Sequence, residues 1–96
     1  MTDEQLTIEH EETGQAGRYF AKVPGGEAEL TYKLRDGVMA IDHTYTPDEA
    51  RGRSVARKLT EHAVAEAQKK GLRIDPVCPY VDKLFDRKPE WASLRA

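Results

Sequence analysis

A chain of 96 residues, 39% hydrophobic and 33% charged, is sized for one soluble globular domain, expected to span residues 1–96. Its 15 basic and 17 acidic side chains leave a net charge of −2, which argues against nucleic acid as a partner, since a phosphate backbone needs a broad basic surface. The single cysteine, Cys78, excludes an intramolecular disulfide and a cysteine metal cluster; no apolar run can span a bilayer, and the acidic start MTDEQLTIEHEE has no signal-peptide core, so the expected location is cytoplasmic, with no membrane partner and no metal.

Leu6 to Glu11 alternates weakly and is expected to be a first strand, followed by a turn at Thr13–Gly17. Arg18 to Val23 carries β-favouring residues and predicts a second strand, closed by Pro24-Gly25-Gly26. Ala28 to Leu34 alternates cleanly, with Ala28, Leu30, Tyr32 and Leu34 on one face. Asp36-Gly37 is a hairpin signal, and Val38 to Tyr45 is the next strand. The alternation assigns Met39, Ile41, His43 and Tyr45 to one of its faces. Apolar residues on both faces suggest a central strand covered on each side.

A helix is expected over about Ser54 to Lys70, with Val55, Ala56, Leu59, Ala63, Val64 and Ala67 as its apolar stripe. Arg57, Lys58, Glu61, Glu66 and Lys69 fall on the outer face, Glu66 and Lys70 are spaced for an ion pair, and Gly71 suits the C-terminal stop. His10 and His62 read as surface residues. Leu72 to Val77 predicts a last strand, which Pro76 restricts to an edge or an early end. Tyr80 to Arg87 makes a short helix with Val81, Leu84 and Phe85 inward, and Trp91 and Leu94 of the tail are expected to dock on the body. The fold class is therefore α/β (α+β). A mostly antiparallel sheet ends in one parallel βαβ crossover, with one long and one short helix.

The turn before the long helix, Arg51-Gly52-Arg53-Ser54-Val55-Ala56, is the most informative stretch. A helix N-terminus attracts anions, yet this one is preceded and followed by Arg51, Arg53, Arg57 and Lys58 with no acid between them. A phosphate in front of the turn makes sense of that placement. The plainer reading is a Ser54 N-cap with solvated arginines.

Motifs and turn together resemble the GCN5-related N-acetyltransferases, whose Gln/Arg-x-x-Gly-x-Gly/Ala pattern matches at Arg51 and Ala56, with Ser54 in place of the middle glycine. More narrowly, His43-Thr44, Arg51-Gly52, Cys78-Pro79-Tyr80-Val81 and Pro89-Glu90-Trp91, in that order, are similar to the minimal members of about one hundred residues. This resemblance covers about Arg18 to Leu94. It implies a minimal GNAT fold and acetyl-CoA, or coenzyme A, as cosubstrate. The backbone of Thr44, Tyr45 and Thr46 would hold pantetheine, and Arg51, Gly52, Arg53, Ser54, Val55 and Ala56 the pyrophosphate. The thioester would then point toward Cys78. The activity implied is acetyl transfer to an unidentified amine, of a small molecule or a protein, by a monomer or homodimer.

Such a transfer needs a deprotonated amine, a polarised carbonyl and a proton for the leaving thiolate. The family's tyrosine that protonates the thiolate corresponds to Phe85, which has no proton to give, and Tyr80 is the candidate substitute. Cys78 is either an acyl acceptor, activated by Arg73 or His43, or a small buried apolar residue. His43 is either a general base or a hydrogen-bonded core histidine. Asp42 and Glu49 are weaker base candidates. The alternative to an enzyme is a non-catalytic CoA-binding or protein-interaction module on the same scaffold.

Overall fold

The computed structural model describes residues 6–96. Five strands form one sheet in the order β1 (Glu9–Thr13), β2 (Ala16–Val23), β3 (Gly26–Arg35), β4 (Val38–Tyr45) and β5 (Arg73–Pro76). The first four are antiparallel neighbours, and β4 and β5 are parallel. Helix α1 (Val55–Lys69) makes the crossover and α2 (Pro79–Asp86) follows β5. The expected α/β class, hairpins and parallel crossover are all present. Among the described residues no helix is long and apolar enough to cross a membrane.

Each hairpin closes over two residues, and the Asp36-Gly37 turn has both residues at positive φ, 52° and 77°. That is the left-handed pair whose twist matches the strands it joins. The first strand begins three residues later than Leu6, and Leu6 and Ile8 instead pack against the core. Helix α1 ends as its sequence suggests: Gly71 is at φ 70°, and the Leu72 amide returns to the Ala67 carbonyl at 2.9 Å. Glu66 pairs with Lys69 at 3.4 Å, one position earlier than the expected Lys70.

The core lies on one face of the sheet. Tyr19, Leu30, Tyr32, Met39, Ile41 and Ile74 meet Leu59, Ala63, Val64 and Ala67 of α1 and Val81, Leu84 and Phe85 of α2. Burial of an aliphatic side chain of this size contributes roughly 1.5–3 kcal/mol. Trp91 is buried and Leu94 half-buried, so the tail docks as expected. The expected cover on both faces of β4 does not occur. Met39 and Ile41 are buried, while Val38 and Ala40 on the other side are only half-buried.

One irregularity re-aims the end of β4. Tyr32 pairs with Ile41, but Thr31 pairs with His43, so Asp42 is an extra residue and the ladder bulges there. Beyond a bulge the face alternation slips by one. Thr44, opposite buried Leu30, takes the core face. His43 and Tyr45, opposite Thr31 and Glu29, take the outer face. The expected grouping of His43 and Tyr45 with Met39 and Ile41 is therefore overturned, because the extra residue changes the register without changing the sequence alternation.

Candidate functional site

The turn before α1 is held from both sides by buried Ala50 and Val55. Between them Gly52 sits at φ 84° and Ser54 at φ 60°, ψ 28°. Ser54 makes no side-chain capping bond, which overturns the plain N-cap reading; a cap requires extended backbone, and Ser54 is left-handed. The Lys58 amide reaches the Ser54 carbonyl at 3.0 Å, so the amides before it have no acceptor within the helix. Nothing would approach within 4 Å of a Cβ at Gly52, and no acid stands in the first turn of α1. Donors, dipole and open space thus fit an anion.

In front of the turn lies a groove of about 520 Å³. Thr44, Thr46, Ala50, Arg51, Gly52, Ser54, Val55, Ala56, Arg57 and Tyr80 line it, with two arginines and no carboxylate among them. Arg51 also pairs with Asp48 at 3.2 Å on the exposed side. Arg57 belongs to the site although the helical stripe assigns it to a solvated face; its membership of the basic cluster was the signal. Arg53 and Tyr45 do not line the groove, and the Tyr45 side chain is on the opposite face of the sheet.

The groove begins where two parallel strands part. Pairing of β4 with β5 ends at Ile41 and Pro76, and the Cys78 amide then donates to the Ile41 carbonyl at 2.9 Å. Beyond that bond β4 runs on to Tyr45 without β5 beside it. Cys78 opens α2, is 6% exposed, and places Sγ 3.7 Å from Thr44 Oγ1. The bulge at Asp42 brings Thr44 to this side.

The other candidate residues are distributed as follows. His43 is exposed on the outer face, which overturns the core-histidine reading. Arg73 pairs with Val38 at the far end of β5, roughly 10 Å of strand from Ile41, too distant to activate Cys78. Tyr80 borders the groove; burial raises its pKa, Arg57 opposes the shift, and Glu61 adds to it. A phenol so placed keeps its proton at neutral pH. Phe85 is buried with its ring 5.1 Å from Trp91, and both are packing residues. Asp42 accepts from the Thr31 hydroxyl. Glu49 flanks the Gly25 turn. His10 is exposed, as expected, and its ring also stacks on buried Tyr19 at 4.3 Å; His62 is half-buried, with its ring 5.1 Å from Tyr19. Among the described residues no group of three potential ligands is disposed to hold a metal ion.

A family model described as GCN5-related N-acetyl-transferase matches residues 18–94. Among solved structures, the solution structure of a GCN5-like candidate N-acetyltransferase from Staphylococcus aureus superposes with a TM-score of 0.70 at 21% identity, covering 100% of this chain and 91% of that one. The crystal structure of a candidate acyl-CoA N-acyltransferase from Klebsiella pneumoniae subsp. pneumoniae gives a TM-score of 0.58 at 17% identity. It aligns with 77% of this chain, and the alignment spans 57% of its own length. At these identities the two likenesses concern the fold.

Proposed function

The chain belongs to the GCN5-related N-acetyl-transferase family, and from that premise we propose that it binds acetyl-CoA in the groove before α1 and transfers the acetyl group to an amine. The observation that carries this reading is one groove running from Thr44 to the open amides and arginines of the turn; Cys78 does not line it but lies next to its end, with Sγ 3.7 Å from Thr44 Oγ1. In this reading the amides from Gly52 to Ala56, with Arg51 and Arg57, hold the pyrophosphate. The backbone from Thr44 to Thr46, which has no β5 strand beside it, holds the pantetheine arm, which ends near Cys78.

Cys78 then attacks the acetyl carbonyl carbon, forming an acetyl thioester and breaking the bond to the CoA sulfur. Tyr80 gives a proton to the departing thiolate and regains one from the Cys78 thiol. The acceptor approaches from the outer face, where His43 takes the ammonium proton, and attack by the free amine releases Cys78 as the thiol. The 96 residues act as one domain throughout.

Calorimetry and intact-protein mass spectrometry test this. Acetyl-CoA is expected to bind the wild type, and Arg51→Glu to weaken binding about tenfold, the equivalent of ~1.4 kcal/mol. Cys78→Ala is expected to keep binding, lose the acetyl adduct and slow turnover on the order of 100-fold. No binding at millimolar acetyl-CoA sinks the proposal. One observation favours a second reading, a CoA-binding module without turnover: Phe85 supplies no phenol and is packed against Trp91. Sustained CoA release in the presence of an amine eliminates that reading.

A further inference from the structure

Arg57 and Tyr80 border two cavities. On one side is the groove; on the other is a smaller cavity of about 170 Å³ lined by Arg57, Tyr80, Lys83, Leu84 and Arg87. Three of those five are cations and none is an acid. The volume corresponds to about five or six waters, enough for a phosphate group and too little for a nucleoside.

The three cations come from two helices. On α2, Tyr80, Lys83 and Arg87 are spaced to share one face, and two like charges at i, i+4 oppose each other by a few tenths of a kcal/mol. The α2 dipole favours cations near its end, but convergence with Arg57 of α1 is not a property of α2. Two of the acids nearby are engaged elsewhere, and the third is shared between Arg57 itself and a lysine outside the cavity. Asp82 and Asp86 pair with Arg95 at 2.9 and 3.5 Å, and Glu61 lies between Arg57 at 3.4 Å and Lys88 at 3.2 Å. Among the described residues no carboxylate pairs with Lys83 or Arg87. The cavity thus concentrates positive charge beside a groove that already suits a pyrophosphate.

Resting on the acetyl-CoA reading above, we propose that Arg57, Lys83 and Arg87 form a second anion subsite that takes the 3′-phosphate of the coenzyme's nucleotide. A molecule with its pyrophosphate at the turn and its thioester at Cys78 must carry its nucleotide away from the strand parting. The cavity beyond Arg57 and Tyr80 receives the phosphate there. The protein then distinguishes coenzyme A from carriers that present the same pantetheine arm without a 3′-phosphate.

Calorimetry with acetyl-CoA and with 3′-dephospho-acetyl-CoA tests this. It is done on the wild type, on the double variant Lys83→Glu/Arg87→Glu, and on the neutral pair Lys83→Gln/Arg87→Gln. Both substituted positions, Lys83 and Arg87, are exposed. Wild type is expected to bind the 3′-phosphorylated ligand at least tenfold more tightly, by a margin that shrinks with added salt. The Gln pair reduces that ratio and the Glu pair abolishes it, with affinity for the dephospho ligand unchanged within twofold. Equal binding of the two ligands by wild type, or a ratio preserved in the Glu pair, overturns the subsite and leaves the acetyl-CoA reading standing. Binding of neither ligand overturns both.

Discussion

The two ends of the sheet treat polar groups in opposite ways. At the β1–β2 end they are packed in. Tyr19 and Tyr32 are each 1% exposed, the Tyr32 hydroxyl donates to Glu12 Oε2 at 2.8 Å and meets His10 Nε2, and His10 stacks on Tyr19. Gly17 leaves the room this needs, since a Cβ there would come within 2.4 Å of the Tyr32 ring. At the β4–β5 end the strands part and the space stays open. The exposed large apolar side chains of the described residues, Tyr45, Val77 and Tyr80, all belong to segments bordering that parting. Burial foregone there leaves a place for a ligand, and the filled end carries the stability. Perturbing the first end should move stability alone, and perturbing the second should move affinity.

The largest effect is expected at alkaline pH. Burial, aided by Glu66 and Glu12, pushes the Tyr19 phenol up to about 12. Burial and the hydrogen bond to Glu12 push Tyr32 higher still. An unfolded tyrosine ionises near ~10. Above that pH the unfolded chain loses protons that the folded chain keeps, so stability falls as pH rises. From pH ~10, where the unfolded phenol is half ionised, to pH ~11 the loss is about 1 kcal/mol for each tyrosine, or about 2 kcal/mol for both. Urea unfolding across that range should show it, and Tyr19→Phe should halve the slope. Tyrosinate absorbance that develops fully near pH ~10 in the folded protein would refute the assignment.

Gly17→Ala comes next. The new methyl group overlaps the Tyr32 ring, so the ring must move or β2 must shift, at about 1–3 kcal/mol. Acetyl-CoA affinity should stay within twofold of wild type, because Gly17 and the groove share no lining residue. A lower unfolding midpoint with an unchanged Kd supports independence of the two ends. A tenfold change in Kd would show that they are coupled.

The order of strands and helices was legible because alternation at Ala28–Leu34, the Asp36-Gly37 turn and the stripe from Val55 to Ala67 are local signals. What escaped depends on partners distant in the chain. VMAIDHTY alternates to its end, so nothing in it marks Asp42 as extra; the register of β3 decides that, and with it the faces of His43, Thr44 and Tyr45. His10 read as a surface residue and is exposed, but its ring contacts could not be read, since they come from Tyr19 and Tyr32 on other strands. Much of the candidate groove was legible, since the basic turn and Tyr80 of the Cys-Pro-Tyr motif both border it. The cavity at Lys83 and Arg87 was not, because it requires two helices to meet.

The smallest expected effect is at the turn itself. Ser54 stands at φ 60°, where a side chain costs roughly 1–2 kcal/mol, and it makes no side-chain capping bond in return. Ser54→Gly removes that strain but adds freedom to the unfolded chain, for a net gain of about 0.5–1 kcal/mol, or roughly 4 °C in Tm. If backbone amides alone hold the pyrophosphate, acetyl-CoA affinity should be unchanged or slightly tighter in this variant. A tenfold loss of affinity beside the same rise in Tm would assign the Ser54 hydroxyl to a phosphate oxygen. The strain would then be retained at the open end for binding, at a cost in stability that the closed end supplies.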